Sequence, residues 1–106
     1  MIYIKQNDRR PPAEQTLYRG ETVVDLTEAT GVTFKMREVG RKDLKVNTAG
    51  MLISNDGEVR YNWQAGDTDT PGTFHAEWEV VWNDGTTETF PTLGAEIVLI
   101  HGDLDS

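Results

Sequence analysis

Thr73-Phe-His-Ala-Glu-Trp-Glu-Val-Val-Trp82 decides the fold. Phe74, Ala76, Trp78, Val80 and Trp82 fall on one face of an extended chain, and His75, Glu77, Glu79 and Val81 on the other. A period of two marks an antiparallel strand with one face buried. The preceding segment alternates as well, with Val59, Tyr61 and Trp63 set against Glu58, Arg60, Asn62 and Gln64. All three tryptophans lie in these two segments, which places the core anchors here, with Trp78 at the centre of the longest strand.

Working outward, the remaining segments are short and separated by turn residues. Ser54-Asn-Asp-Gly57 and Asn83-Asp84-Gly85 read as hairpin turns, because these residues tolerate the positive φ that such turns need. Pro91 ends the strand Thr86–Phe90 or places it at a sheet edge. Val32, Phe34 and Met36 point inward against Thr33, Lys35 and Arg37. Leu44 to Ile53 is a looser strand, broken at Gly50 by a bulge or a close backbone approach. Ala95–Ile100 is a final apolar strand and Ile2–Lys5 a first one, while Thr16–Gly20 pairs briefly and then turns. A single helical turn fits around Thr27–Thr30. Gln6–Gln15, with Arg9-Arg10-Pro11-Pro12, is read as a crossing loop or a mobile arm, and His101–Ser106 as a polar tail. Seven or eight short strands with no helical period predict one all-β domain over residues 1–106: an antiparallel β-sandwich, with a small barrel as the alternative.

Composition narrows the function. At 106 residues the chain has room for one modest core. Without cysteine it has no disulfide, thiolate metal site or cysteine nucleophile. No apolar run reaches membrane-spanning length, and Met-Ile-Tyr-Ile-Lys is not a signal peptide, so cytoplasmic synthesis without membrane insertion is expected. A net charge of −8 argues against nucleic acid, whose phosphates would be repelled. The charge is uneven: residues 1–50 carry nine Lys/Arg and seven Asp/Glu, and residues 51–106 carry Arg60 alone against eleven acids. That split is either a solubility feature or a sign that unlike patches of neighbouring copies meet head to tail, and it marks Arg9, Arg10 and Arg19 as candidate partner contacts.

Catalytic and metal chemistry find little support. His75 and Glu77 share a strand face but lack a third ligand, so a solvated face is the better reading. Asp67-Thr-Asp-Thr-Pro-Gly72 resembles half of a calcium loop without its closing acid, and turn chemistry explains it better. No serine has a nucleophile context, and no glycine loop cradles phosphate. No cofactor is expected, and no enzymatic activity. A carbohydrate-binding module, contacting a host-surface glycan through exposed aromatics such as Tyr3, Tyr18, Trp63 or Trp82, is the competing class; for the tryptophans, alternation favours a core role.

In order along the chain stand Gly57-Glu-Val-Arg-Tyr61-Asn-Trp63, Asp67-Thr68, Gly72-Thr-Phe74, Ala76-Glu77-Trp-Glu79, Asp84-Gly85 and Thr89-Phe-Pro91. Val24-Asp-Leu-Thr27 and Val32-Thr-Phe-Lys-Met-Arg37 precede them. This ordered set resembles the N-terminal domain family of phage baseplate upper proteins. The resemblance implies an immunoglobulin-like β-sandwich used as a structural block of a bacteriophage virion alongside other phage structural proteins, with no catalytic residues; the charge split adds the expectation of a homo-oligomer or ring. Proteins of that family continue into a receptor-binding or adaptor region. The expectation for this chain is a free-standing domain at the tail tip or baseplate, the head–tail joint or the capsid surface.

Overall fold

The computed structural model describes residues 1–104. The last two positions of the expected polar tail, 105 and 106, lie outside the described residues. The fold is all-β, with eleven short strands among the described residues: β1 (Ile2–Lys5), β2 (Ala13–Thr16), β3 (Tyr18–Arg19), β4 (Thr22–Val23), β5 (Ala29–Glu38), β6 (Val46–Ala49), β7 (Met51–Leu52), β8 (Glu58–Tyr61), β9 (Gly72–Trp82), β10 (Thr87–Phe90) and β11 (Glu96–His101). The larger sheet runs β1-β11-β9-β5-β6, and β10 pairs with the second half of β9 beyond the point where β11 leaves it. A smaller sheet runs β2-β8-β7, and β3 and β4 form a separate hairpin.

The alternation read at Thr73–Trp82 holds. Phe74, Ala76, Trp78 and Val80 are fully buried, Trp82 is half-buried, and His75, Glu77 and Glu79 stand on the outer face. β5 supplies Val32, Phe34 and Met36 beside them, and the small sheet covers this surface with Ala13, Val59 and Tyr61. The joint between the sheets is aromatic. Phe34 stacks on Tyr61 at 4.8 Å and meets the edge of Trp63 at 5.7 Å. Offset and edge-on pairs of this kind add stability beyond their buried area. Two facing sheets around one core are compatible with a β-sandwich.

Several expectations are corrected. Among the described residues the strands number eleven rather than seven or eight: Leu44–Ile53 splits into β6 and β7 where the chain changes sheet, and β2 and β4 form in segments without an apolar pattern. The arrangement is not wholly antiparallel: β1 pairs in parallel with β11, from Ile2 beside Val98 to Lys5 beside His101. Of residues 6–15, read as a crossing loop or a mobile arm, 6–12 pass from β1 in the large sheet to β2 in the small one, and 13–15 are strand. Ala13–Thr16 is a strand paired with β8, and Ala13 is fully buried. The polarity of Gln6–Gln15 concealed this, because Glu14 and Thr16 line an outer face while Gln15 turns inward and satisfies an indole. His101 belongs to β11 rather than to a tail. The region near Thr27 is a tight turn closed by Ala29 N–H donating to the Leu26 carbonyl at 3.0 Å, not a helix. β8 and β9 lie in different sheets, so residues 62–71 carry the chain across the core.

Gly50 marks a further crossing. Here β6, in the large sheet, gives way to β7 in the small one. A Cβ at this position would lie 3.0 Å from the Arg60 carbonyl oxygen and 3.4 Å from both Trp78 and Val32. The close approach read from the sequence is therefore real: the chain slips between the two sheets where only hydrogen fits.

Candidate assembly surface

The principal extents are 47 × 25 × 24 Å. An eleven-residue strand such as β9 spans about 36 Å and so runs along the long axis. The molecule therefore has a Gly72 end and a Trp82 end. At the Gly72 end lie the turn after β1, the β5–β6 turn and residues 64–71, because β1, β5 and β11 all reach the Gly72 side of β9. At the Trp82 end lie the β3–β4 hairpin, the β7–β8 turn and the β9–β10 turn. They are linked by Leu26 N–H to the Asn55 carbonyl and Asn83 N–H to the Glu28 carbonyl.

The Gly72 end is built by short local bonds. Asn7 N–H donates to the Thr68 carbonyl at 2.9 Å, and the Thr68 hydroxyl donates back to the Asp8 carbonyl at 2.8 Å. Gln6 N–H reaches the His101 carbonyl at 2.7 Å. Asp67 accepts from the Tyr61 hydroxyl at 2.6 Å and from Gln64 N–H at 2.8 Å, and Lys45 takes Asp69 at 2.7 Å. Burial, and then the bond to Asp67, push the Tyr61 hydroxyl well above its ordinary pKa. The half calcium loop thus spends its carboxylates on a hydroxyl, an amide and an ammonium. The turn reading stands, although Asp67 caps an amide three residues back rather than two residues on.

The three candidate arginines do not form one cluster. Arg9 Nε donates to the Trp63 carbonyl at 3.0 Å, next to the joint where Trp63 packs on Phe34 beside the middle of β9. With Arg10, Pro11, Pro12, Asn62 and Trp63 it lines an open groove of about 630 Å³. Arg10 is exposed and forms no hydrogen bond or ion pair among the described residues. Arg19 lies against β10, held by both oxygens of Glu88 at 2.9 and 2.7 Å, with its guanidinium 5.9 Å from the Phe90 ring centre. The bond to Arg19 holds the Glu88 carboxyl below its ordinary range.

The charge division is spatial rather than a matter of sequence halves. Besides the Arg19–Glu88 pair, the Trp82 end presents six exposed acids: Glu21, Asp25, Glu28, Asp56, Glu58 and Asp84. None of them bonds a cation among the described residues. The Gly72 end carries Lys5, Arg41, Lys42 and Lys45 interleaved with acids, with Glu38 and Asp69 paired to Arg41 and Lys45. Sequence reading missed this because Glu21, Asp25 and Glu28, from the less acidic half, fold to the acidic end.

The outer face of the large sheet offers a shallow depression of about 360 Å³ lined by Lys35, Arg37, His75 and Glu77, with Leu44 beside them. The strand register sets Arg37 against His75 and Lys35 against Glu77. Cationic neighbours oppose a metal ion, and among the described residues no group of three or more His, Asp or Glu is placed to hold one. Lys35 also takes Glu79 at 3.1 Å, so Glu77 and Glu79 are not an isolated carboxylate pair. Of the aromatics considered for glycan contact, Trp63 is core and Trp82 is half-buried. Tyr3 and Tyr18 are 57% and 50% exposed but sit at opposite ends. Tyr3 stacks with His101 at 6.0 Å, a partner the sequence did not suggest.

Against protein-family models, curated proteins and solved structures, the chain finds no match.

Proposed function

We propose that the chain is an immunoglobulin-like β-sandwich of the kind found at the N-terminus of phage baseplate upper proteins. On this reading it is a non-enzymatic structural component of a bacteriophage virion, in the tail, baseplate or head–tail region. It is made in the host cytoplasm and acts through contacts with other virion proteins and with its own copies. The observation that carries the reading is where the resembling residues sit. Tyr61 and Asp67 bond each other, Trp63 packs on Phe34, and Thr68 ties the first turn. Gly57 and Asp84-Gly85 make the turns, and Phe90 is buried. The ordered motifs are thus the frame of the domain, which is what members of a structural family would share. The surface left over divides its charge between two ends, as suits an assembly part.

Antibody against the chain, gold-labelled and applied to particles from the phage that encodes it, tests this reading. Label is expected on the tail or at the neck. Particles that stay unlabelled, with the chain found only in the host lysate, would overturn it.

A further inference from the structure

We infer that two copies of this protein join edge to edge, β6 of one pairing antiparallel with β6 of the other. The pairing gives a surface to the contact between copies that the virion reading supposes; it rests on that reading for its purpose and on the sheet edges for its geometry. β6 closes one end of the large sheet and β7 one end of the small sheet. The chain passes from one to the other at Gly50, so both free edges lie on one side of the domain. That side is bare. Val46-Asn-Thr-Ala-Gly-Met-Leu-Ile53 holds no charge and no proline, and Asn47, Thr48, Ala49 and Met51 are exposed. The edges at the opposite ends of the two sheets are guarded: β1 finishes on Lys5, β2 carries Glu14, and Arg9-Arg10-Pro11-Pro12 lies between them. Charge and proline keep a strand edge from pairing with another chain, and an edge without them is a template for one.

The register fixes which main-chain groups are free. Gly50 N–H donates to the Val32 carbonyl at 2.8 Å, one step on from Ala49 beside Thr33. By antiparallel alternation Val46 and Thr48 also turn their main-chain groups toward β5, and those of Asn47 and Ala49 face away. A twofold axis beside Thr48 brings Asn47 of each copy opposite Ala49 of the other, and each such pair exchanges both main-chain bonds. Thr48 then faces its own mate, with about 4.5 Å between the Cα atoms. Charge selects this direction. Thr48 lies beside Phe34, and Phe34 beside Trp78 near the middle of β9, so the axis crosses the domain at mid-length and the copies lie end for end. The Trp82 end of each copy, with Glu28, Asp56 and Asp84, is set alongside the Gly72 end of the other, where Arg41, Lys42 and Lys45 precede β6. A parallel pairing would set acids beside acids. The contact uses up its own edge, so association stops at a dimer.

Sedimentation equilibrium of the purified chain decides the matter, and a monomer–dimer equilibrium is expected. Ala49→Pro removes half of the exchanged bonds at an exposed edge position, where proline is tolerated, and should lower the association constant at least about tenfold. Thr48→Lys and Thr48→Glu each set like charges face to face across the axis and should lower it several-fold. An equimolar mixture of these two variants should recover it, because each lysine then meets a glutamate. Far-ultraviolet circular dichroism confirms that each variant is folded. A monomer up to roughly millimolar concentration overturns the inference. So does association that continues beyond a dimer, a dimer untouched by Ala49→Pro, or loss at Thr48 without recovery in the mixture. Each of these failures leaves a virion part that docks on other proteins, and the virion reading fails on its own if particles carry no label.

Discussion

Trp78→Ala would test the core most severely. The indole is fully buried, lies 4.7 Å from the Phe34 ring and bounds the gap that Gly50 threads. Its Nε1 donates to Gln15 Oε1 at 2.8 Å, and the Gln15 amide goes on to Glu96 at 3.0 Å. Truncation removes a large apolar surface and leaves a cavity, which costs about 3–5 kcal/mol for a buried tryptophan. It also strands the Gln15 oxygen in a half-buried site. Against a total stability of about 5–15 kcal/mol for a domain of this kind, most of the folded population is at risk. Trp78→Phe separates the two effects: most of the ring volume stays, the donor goes, and the expected loss is about 1–3 kcal/mol. Urea melts followed by far-ultraviolet circular dichroism measure both. A loss under about 1 kcal/mol for Trp78→Ala would refute the reasoning, because no buried anchor is that cheap to remove.

Gly50→Ala should cost about 1–3 kcal/mol, since its Cβ meets the Arg60 carbonyl and the sheets must part. Gly31→Ala, where the added atom finds open space, should stay within about 0.5 kcal/mol in the same urea melts. Gly57→Ala should cost more than Gly85→Ala: both hold a left-handed backbone, worth about 1–2 kcal/mol, but only Gly57 also brings a Cβ to 2.9 Å from the Leu17 carbonyl. Equal losses would deny the close approach. Glu88 titrates below its ordinary 4.5 because Arg19 holds the ionised form, so its contribution is present above that value and disappears as pH falls through the lowered one. The difference in thermal midpoint between the wild type and Glu88→Gln should thus be largest near neutrality and close toward pH 2, as scanning calorimetry would show; a difference unchanged in acid would contradict the pairing.

How much of this was legible in the sequence depends on how many elements each feature involves. Alternation along Val32–Met36 and Phe74–Val80 was read correctly because one strand carries its own signal. The turns at Gly57 and Gly85 were equally local, and Gly50 announced a crossing by being a glycine inside a strand. What failed was contact between distant segments. Ala13–Thr16 has no apolar pattern of its own; it is a strand because β8 offers an edge and because the Trp78 indole needs Gln15. β1 lies parallel to β11 because the N-terminal strand docks on the last one, which alternation cannot express. The surface followed the same rule. Arg9, Arg10 and Arg19 are near in sequence, yet folding does not gather them: Arg9 turns to the Trp63 carbonyl and Arg19 to β10. Arg19 is then engaged by Glu88, and Arg10 alone keeps an unengaged charge.

Quantitative mass spectrometry of purified phage particles tests the central claim most directly. A structural component should be present at a fixed ratio to the other tail or neck proteins, unchanged between preparations and after high-salt washing of intact particles. Absence from the particles, or a ratio that falls toward zero with each round of purification, would contradict the account.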